Sequence, residues 1–125
     1  MEIITYPNQG ILEIDVKRTS EDVDKLDAHI EIINQYIKDT KDKKLILKLN
    51  NLFEISKESI LKEKFIPFVS EQGIKHIAVI TGENIRVKSL ISELDNYLKP
   101  EKEHYGISFN IFEEYAQALQ WINSE

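Results

Sequence analysis

The chain contains no cysteine, so it has no disulfide framework, no thiolate nucleophile and no thiolate metal site. Glycine is scarce as well: four residues in 125, none of them arranged as G-x-G-x-x-G or G-x-x-x-x-G-K-[ST]. Phosphate-binding loops need glycine so that backbone amides can approach the anion, and the dinucleotide and P-loop readings are set aside. No serine stands in a G-x-S-x-G elbow, which removes the usual hydrolase arrangement. His29, His76 and His104 are scattered, with no H-E-x-x-H, and no metal site or cofactor is expected from them. Long apolar runs are also missing. The longest strongly apolar run, Ile77 to Ile80, is four residues, where a membrane helix needs about 20. No membrane span is expected, and Glu2 with the interruption Pro7 to Gly10 predicts no secretory signal. Together with the missing cysteine this points to a cytoplasmic protein.

Positive charge is thin and dispersed. The net charge is −6, and arginine amounts to Arg18 and Arg86. Residues 41–75 are the basic part, but their lysines alternate with Asp42, Glu54, Glu58 and Glu63. Polyanion binding requires lysines and arginines converging on one face to release counterions, so nucleic acid is not an expected partner. What the chain has in quantity is branched aliphatic side chain: 20 Ile, 11 Leu and 5 Val, with 5 Phe, about a third of all residues. That excludes disorder. By area scaling a chain of 14.6 kDa buries about two-thirds of its unfolded surface, enough for one core, so residues 1–125 are expected to form a single domain.

The order of periodicities predicts ββαβαβαβα. Ile3 and Ile4, the turn formers Pro7, Asn8 and Gly10, then Leu12, Ile14 and Val16 alternating with Glu13 and Asp15 read as a hairpin, the charged side of which is expected to meet water. From Thr19 the period changes, and Val23, Leu26, Ile30, Ile33 and Ile37 form one helical stripe behind the acidic first turn Glu21, Asp22, Asp24. Leu45 to Leu49 is apolar almost throughout, as in a strand covered on both faces. A helical stretch from Ser56 to about Gln72 ends at Gly73 in the C′ position, and Pro67 inside it predicts a kink or two short helices meeting near Ile66. Ile77 to Ile80 form a second buried strand. A helix from about Asn84, with Val87, Leu90, Ile91, Leu94, Tyr97 and Leu98 on one face, stops at Pro100. Ile107, Phe109 and Ile111 alternate as in an edge strand, and a last helix places Tyr115, Ala118, Leu119 and Ile122 on its inner face with Trp121 beside them. Strands separated by helices imply a mixed, mostly parallel α/β sheet with the antiparallel hairpin at its N-terminal edge.

In such a sheet a site is expected at the carboxyl ends of the strands. The connections reaching that rim are Asn50-Asn51-Leu52-Phe53-Glu54-Ile55-Ser56 and Thr81-Gly82-Glu83-Asn84. Asn50, Asn51, Ser56, Thr81, Gly82 and Asn84 offer amides and hydroxyls; Ser56 and Asn84 also read as helix caps and Gly82 as a turn. Leu52, Phe53 and Ile55 are either tucked over the core or a sticky surface for a partner. Asp15, Asp22 and Asp24 are conceivable oxygen ligands for Mg²⁺ but are more simply read as charges on solvated faces.

The hairpin, the helix start Thr19-Ser20-Glu21-Asp22, the stretch from Phe65-Ile66-Pro67 to Gly73-Ile74-Lys75-His76-Ile77-Ala78-Val79, and the ending Phe112-Glu113-Glu114-Tyr115-Ala116-Gln117-Ala118-Leu119-Gln120-Trp121-Ile122 carry a resemblance. The chain resembles the STAS superfamily, the domain of bacterial anti-sigma factor antagonists, and particularly its stand-alone branch grouped with lipid-binding CRAL-TRIO proteins. The resemblance covers nearly the whole chain and rests on core and cap residues. It implies a STAS-like fold and a regulatory protein-interaction domain. Phosphorylated members carry Asp-Ser-Ser-Gly after the first buried strand; here the turn reads Phe53-Glu54-Ile55-Ser56-Lys57-Glu58-Ser59, which leaves Ser56 and Ser59 as the implied phosphorylation sites without that motif. The leading expectation is therefore a small non-catalytic interaction domain working through residues 50–56 and 81–84, with a protein partner or a second copy of itself. The alternative is a binder of an apolar or lipid-like small molecule between the second helix, around Phe65, Ile66 and Phe68, and the sheet. A small hydrolase or transferase ranks below both.

Overall fold

Alternation of apolar and charged residues over 11–17, and the aliphatic runs that follow, draw the chain into strands joined by amphipathic helices. In the computed structural model the described residues are 2–8, 10–17, 33–38, 42–49, 65–98 and 106–125. They form β1 (Glu2–Asn8), β2 (Ile11–Lys17), a helix whose described part is 33–38 (α1), β3 (Lys44–Lys48), α2 (Ile66–Glu71), β4 (His76–Ile80), α3 (Ile85–Leu98), β5 (Ser108–Phe112) and α4 (Tyr115–Asn123). The fold is α/β. Four parallel strands, β2 to β5, alternate with four helices among the described residues, and the spatial order β1-β2-β3-β4-β5 follows the sequence. β1 lies antiparallel beside β2, with Asn8 opposite Ile11 and Gly10 at φ +83° in the connection, a conformation that glycine adopts without a Cβ clash.

The pleat divides the sheet into two unlike faces. On the first, Ile14, Leu45, Leu47, Ile77 and Val79 meet Ile33 and Ile37 of α1, Ile66 and Val69 of α2, and Ile91 and Leu94 of α3 in the larger core. Each such side chain taken out of water contributes about 1.5–3 kcal/mol. The second face carries a smaller core, Ile11, Ile46, Ala78 and Ile80, and among the described residues one short helix, α4, covers it through Ala118 and Ile122. α4 packs chiefly on β4, with further contact to β5 and β3. The ring of Trp121 stands 5.8 Å from that of Phe112 at its outer margin.

Two local features follow from single residues. α2 begins at Ile66 after Phe65, whose backbone is right-handed (φ −83°, ψ −56°), and Pro67 stands among its first residues, where proline is tolerated. The kink or helix junction expected near Ile66 involves the stretch before Phe65, which lies outside the described residues. α2 then ends in a Schellman arrangement: the N–H of Ile74 donates to the carbonyl of Val69 at 3.1 Å and that of Gly73 to Ser70 at 3.1 Å, with Gly73 at φ +82°. β5 is the outer strand, as its alternation predicts.

Two expectations need correction. Glu13 and Asp15 do not face water: they are 8% and 7% exposed, because β2 is an inner strand between β1 and β3 and its second face is enclosed near the base of α4. By contrast, the strand over 45–49 is covered on both faces as its apolar run predicts: Leu45, Leu47 and Leu49 lie in the larger core and Ile46 in the smaller one. Tyr115 is not on the inner face of the last helix; as its first residue it is 38% exposed, while Ala118 and Ile122 carry the packing.

Candidate functional site

The second face is where chemistry collects. Residues of one parity on β2 and β3 lie side by side: Glu13 is the register partner of Ile46, and Asp15 that of Lys48, the last residue of β3. β5 ends at Phe112, and the two following residues bring the chain to Tyr115 at the same carboxyl end of the sheet. The hydroxyl of Tyr115 donates to Oε1 of Glu13, a link across 102 residues of sequence that ties the start of α4 to β2. Glu13, Ile14, Asp15, Ile46, Lys48 and Tyr115 line a pocket of about 330 Å³. Its volume lies at the lower end of the range of small-molecule sites, about 300–1,000 Å³.

The two carboxylates in this pocket are not equivalent. Glu13 has the phenolic donor. Oδ1 of Asp15 is wholly enclosed and, among the described residues, accepts no hydrogen bond, although Lys48 is its neighbour across the strand pair. A buried polar atom without a partner costs about 1–3 kcal/mol, more when charged, and protein structures rarely leave one without a reason.

Of the residues expected at the rim, Thr81, Gly82 and Asn84 are among those described. Gly82, at φ +59°, makes the turn after β4, and Thr81 is wholly buried: its N–H donates to the carbonyl of Phe112 at 2.9 Å and its hydroxyl to the carbonyl of Gly82 at 3.2 Å. Thr81 thus braces β4 against β5 rather than presenting itself to a ligand. Asn84 is half-buried and opens the first turn of α3 by accepting the N–H of Lys88 at 2.9 Å. Asn50, Asn51, Leu52, Phe53, Ile55, Ser56 and Ser59 lie outside the described residues, as do His29, His104, Asp22 and Asp24. Phe65 and Ile66 are fully buried members of the larger core and Phe68 packs against it, so their visible role is packing. Among the described residues no group of three or more acidic or histidine side chains is placed to hold a metal ion, and none of the helices is long and apolar enough to cross a membrane.

A second, wider groove of about 650 Å³ runs along α4, lined by Lys88, Phe112, Glu113 and Trp121 among others. Its two charged groups are paired with each other across the surface. It leaves no demand comparable to that of Asp15.

Glu13, Lys48 and Tyr115 were not candidates from the sequence, and Asp15 was one only as a metal ligand. The signal available was positional: two acids of the same parity on a strand beside the uninterrupted Leu45-Ile46-Leu47, with a single lysine at its end. Comparison of the chain with family models, with curated proteins and with solved structures gives no significant match.

Proposed function

We propose that this chain is a small STAS-like binding domain, regulatory rather than catalytic, that acts through the carboxyl-end rim of its sheet. The observation that carries the reading is the pocket at the ends of β2 and β3, where the buried carboxylate of Asp15 stands without a donor among the described residues. Oδ1 of Asn34 and Nδ1 of His76 are also buried without a partner among the described residues, but of the three groups only Asp15 is a described lining residue of the pocket. Open parallel sheets place their binding sites at this same end. The connection expected to bind at the rim, residues 50–56, follows Lys48 closely in sequence and lies outside the described residues.

The test is native mass spectrometry of the protein gently purified from its source. A bound small molecule, a copurifying protein or a homodimer supports the reading, and a bare monomer from several preparations overturns it. An added mass of lipid size would move the ligand from this pocket to the space beside Phe65 and Phe68. Intact-mass measurement of the same sample reads phosphate on Ser56 or Ser59, and its consistent absence removes a phosphorylation switch.

A further inference from the structure

We infer that Asn110 keeps the open edge of the sheet from pairing with a second copy of the chain, by holding the outward N–H of Ile111 on its own side-chain oxygen. β5 is the outer strand, and its ladder shows which groups it turns outward. Ser108 donates to the carbonyl of Lys75, and the carbonyl of Phe112 accepts the N–H of Thr81. In a parallel ladder alternate residues bond to the neighbouring strand, so the N–H and carbonyl groups of Phe109 and Ile111 point away from β4. The N–H of Ile111 is nevertheless engaged: it donates to Oδ1 of Asn110 at 2.9 Å. Asn110 itself is exposed. A local side-chain acceptor of this kind competes with a strand ladder for the same donor.

The edge that Asn110 closes is one that invites pairing. From Tyr105 to Phe112 there is no charged residue and no proline, and Ile107, Phe109, Ile111 and Phe112 favour extended backbone. Uncharged segments of about six or seven such residues are the ones that stack strand on strand. Both faces beside β5 are apolar as well: Phe109 and Ile111 pack against the larger core, Phe112 and Trp121 against the smaller. A strand added outside β5 would extend both. In a twofold antiparallel joint centred on Asn110, Phe109 of each copy lies opposite Ile111 of the other, and each Ile111 supplies a donor. The two Asn110 side chains take both of those donors. Sheets commonly protect such an edge with charge or proline; β5 has neither, and the charge that follows its last residue, Glu113, is paired with Lys88.

The full chain is compared with Asn110→Ala, Asn110→Val and Asn110→Asp. Analytical ultracentrifugation follows molar mass across a wide concentration range, and NMR follows hydrogen exchange of the Ile111 amide. Asn110 is exposed, so truncation to Ala leaves the packing in place, and circular dichroism checks that each variant is folded. In the parent, exchange at Ile111 is expected to be independent of concentration. Asn110→Ala and Asn110→Val should self-associate at least tenfold more tightly than the parent. Their Ile111 amide should exchange at least tenfold faster when dilute and slow as concentration rises. Asn110→Asp keeps the acceptor and should behave as the parent does, including in about 1 M NaCl, where a Debye length of about 3 Å removes simple charge repulsion. Ala and Val variants that associate no more tightly than the parent overturn the inference, and so does an Asp variant that associates as they do in high salt. A parent whose Ile111 amide becomes protected with rising concentration already pairs through β5, which overturns it as well. None of these outcomes bears on the pocket at the ends of β2 and β3, which the native mass measurement decides separately.

Discussion

The enclosed carboxylate of Asp15 makes a prediction of unusual sign: Asp15→Asn should make the unliganded protein more stable. The substitution keeps the shape of the side chain, so the packing between β2 and β3 and the register Asp15 to Lys48 are unchanged. What changes is the charge. In the parent the buried oxygen lacks a donor among the described residues, a cost of about 1–3 kcal/mol for a polar group and more for an ion. The amide removes the ionic part but brings its own N–H groups, which need acceptors; Glu13 lies two residues along the same face. A net gain of about 1–2 kcal/mol is therefore expected. Unfolding entropy near 2.1 cal/mol/K per residue gives about 260 cal/mol/K for a chain of this length, so each kcal/mol moves the melting temperature by about 4 °C. Asp15→Asn should melt about 4–8 °C higher, with the urea m-value unchanged. Calorimetry and urea titration of ligand-free protein measure it. A loss of more than about 1 kcal/mol, on the scale of a broken charge-assisted hydrogen bond, would show that the carboxylate is compensated in the folded chain. The reasoning about the pocket would then be wrong.

Three further perturbations read other parts of the fold. Tyr115→Phe removes the donor to Glu13 and should cost about 1–2 kcal/mol in urea unfolding; a change below about 0.3 kcal/mol would mean that water replaces the phenol without loss. Gly73→Ala forces a Cβ into the left-handed conformation at φ +82°, 3.2 Å from Nζ of Lys43, and should cost about 1–2 kcal/mol, read as a lower denaturation midpoint at constant m. Leu47→Ala empties a position enclosed by the larger core, and a loss of about 2–5 kcal/mol is expected from chemical denaturation; less than about 1 kcal/mol would show that the helices of that face collapse onto the gap.

The strand and helix order was legible because each element declares itself by period. Leu45 to Leu49 is aliphatic but for Lys48, Ile77 to Ile80 is aliphatic throughout, and both are inner strands; Gly73 marks the end of α2 through its left-handed backbone. The pocket was not legible, and the reason is specific. Alternation in β2 says that Glu13 and Asp15 share a face, but whether that face meets water depends on which elements lie over it. Tyr115 follows Asp15 by a hundred positions, and its helical spacing with Ala118 and Ile122 suggested packing on the inner face, not a reach from the helix start to β2. Local pattern gives the parity of a side chain; only the sheet order gives its neighbours.

The placement of the pocket follows from how the helices are shared between the faces. Five strands about 4.8 Å apart span roughly 19 Å between the outer strand axes, whereas one helix with its side chains is about 10 Å across. The first face has α1, α2 and α3 upon it and closes. The second has α4 alone among the described residues, and α4 sits over β4 with β5 and β3 at its sides, so β2 lies beyond its width. Along β2 the side chain beneath the helix margin is apolar, Ile11, and those toward the carboxyl end are Glu13 and Asp15. The change from aliphatic to acidic takes place within one strand, where covering by α4 gives way to the reach of Tyr115. Among the described residues the pocket lies where the covering by α4 ends, at the end of the sheet where Lys48 and Tyr115 converge.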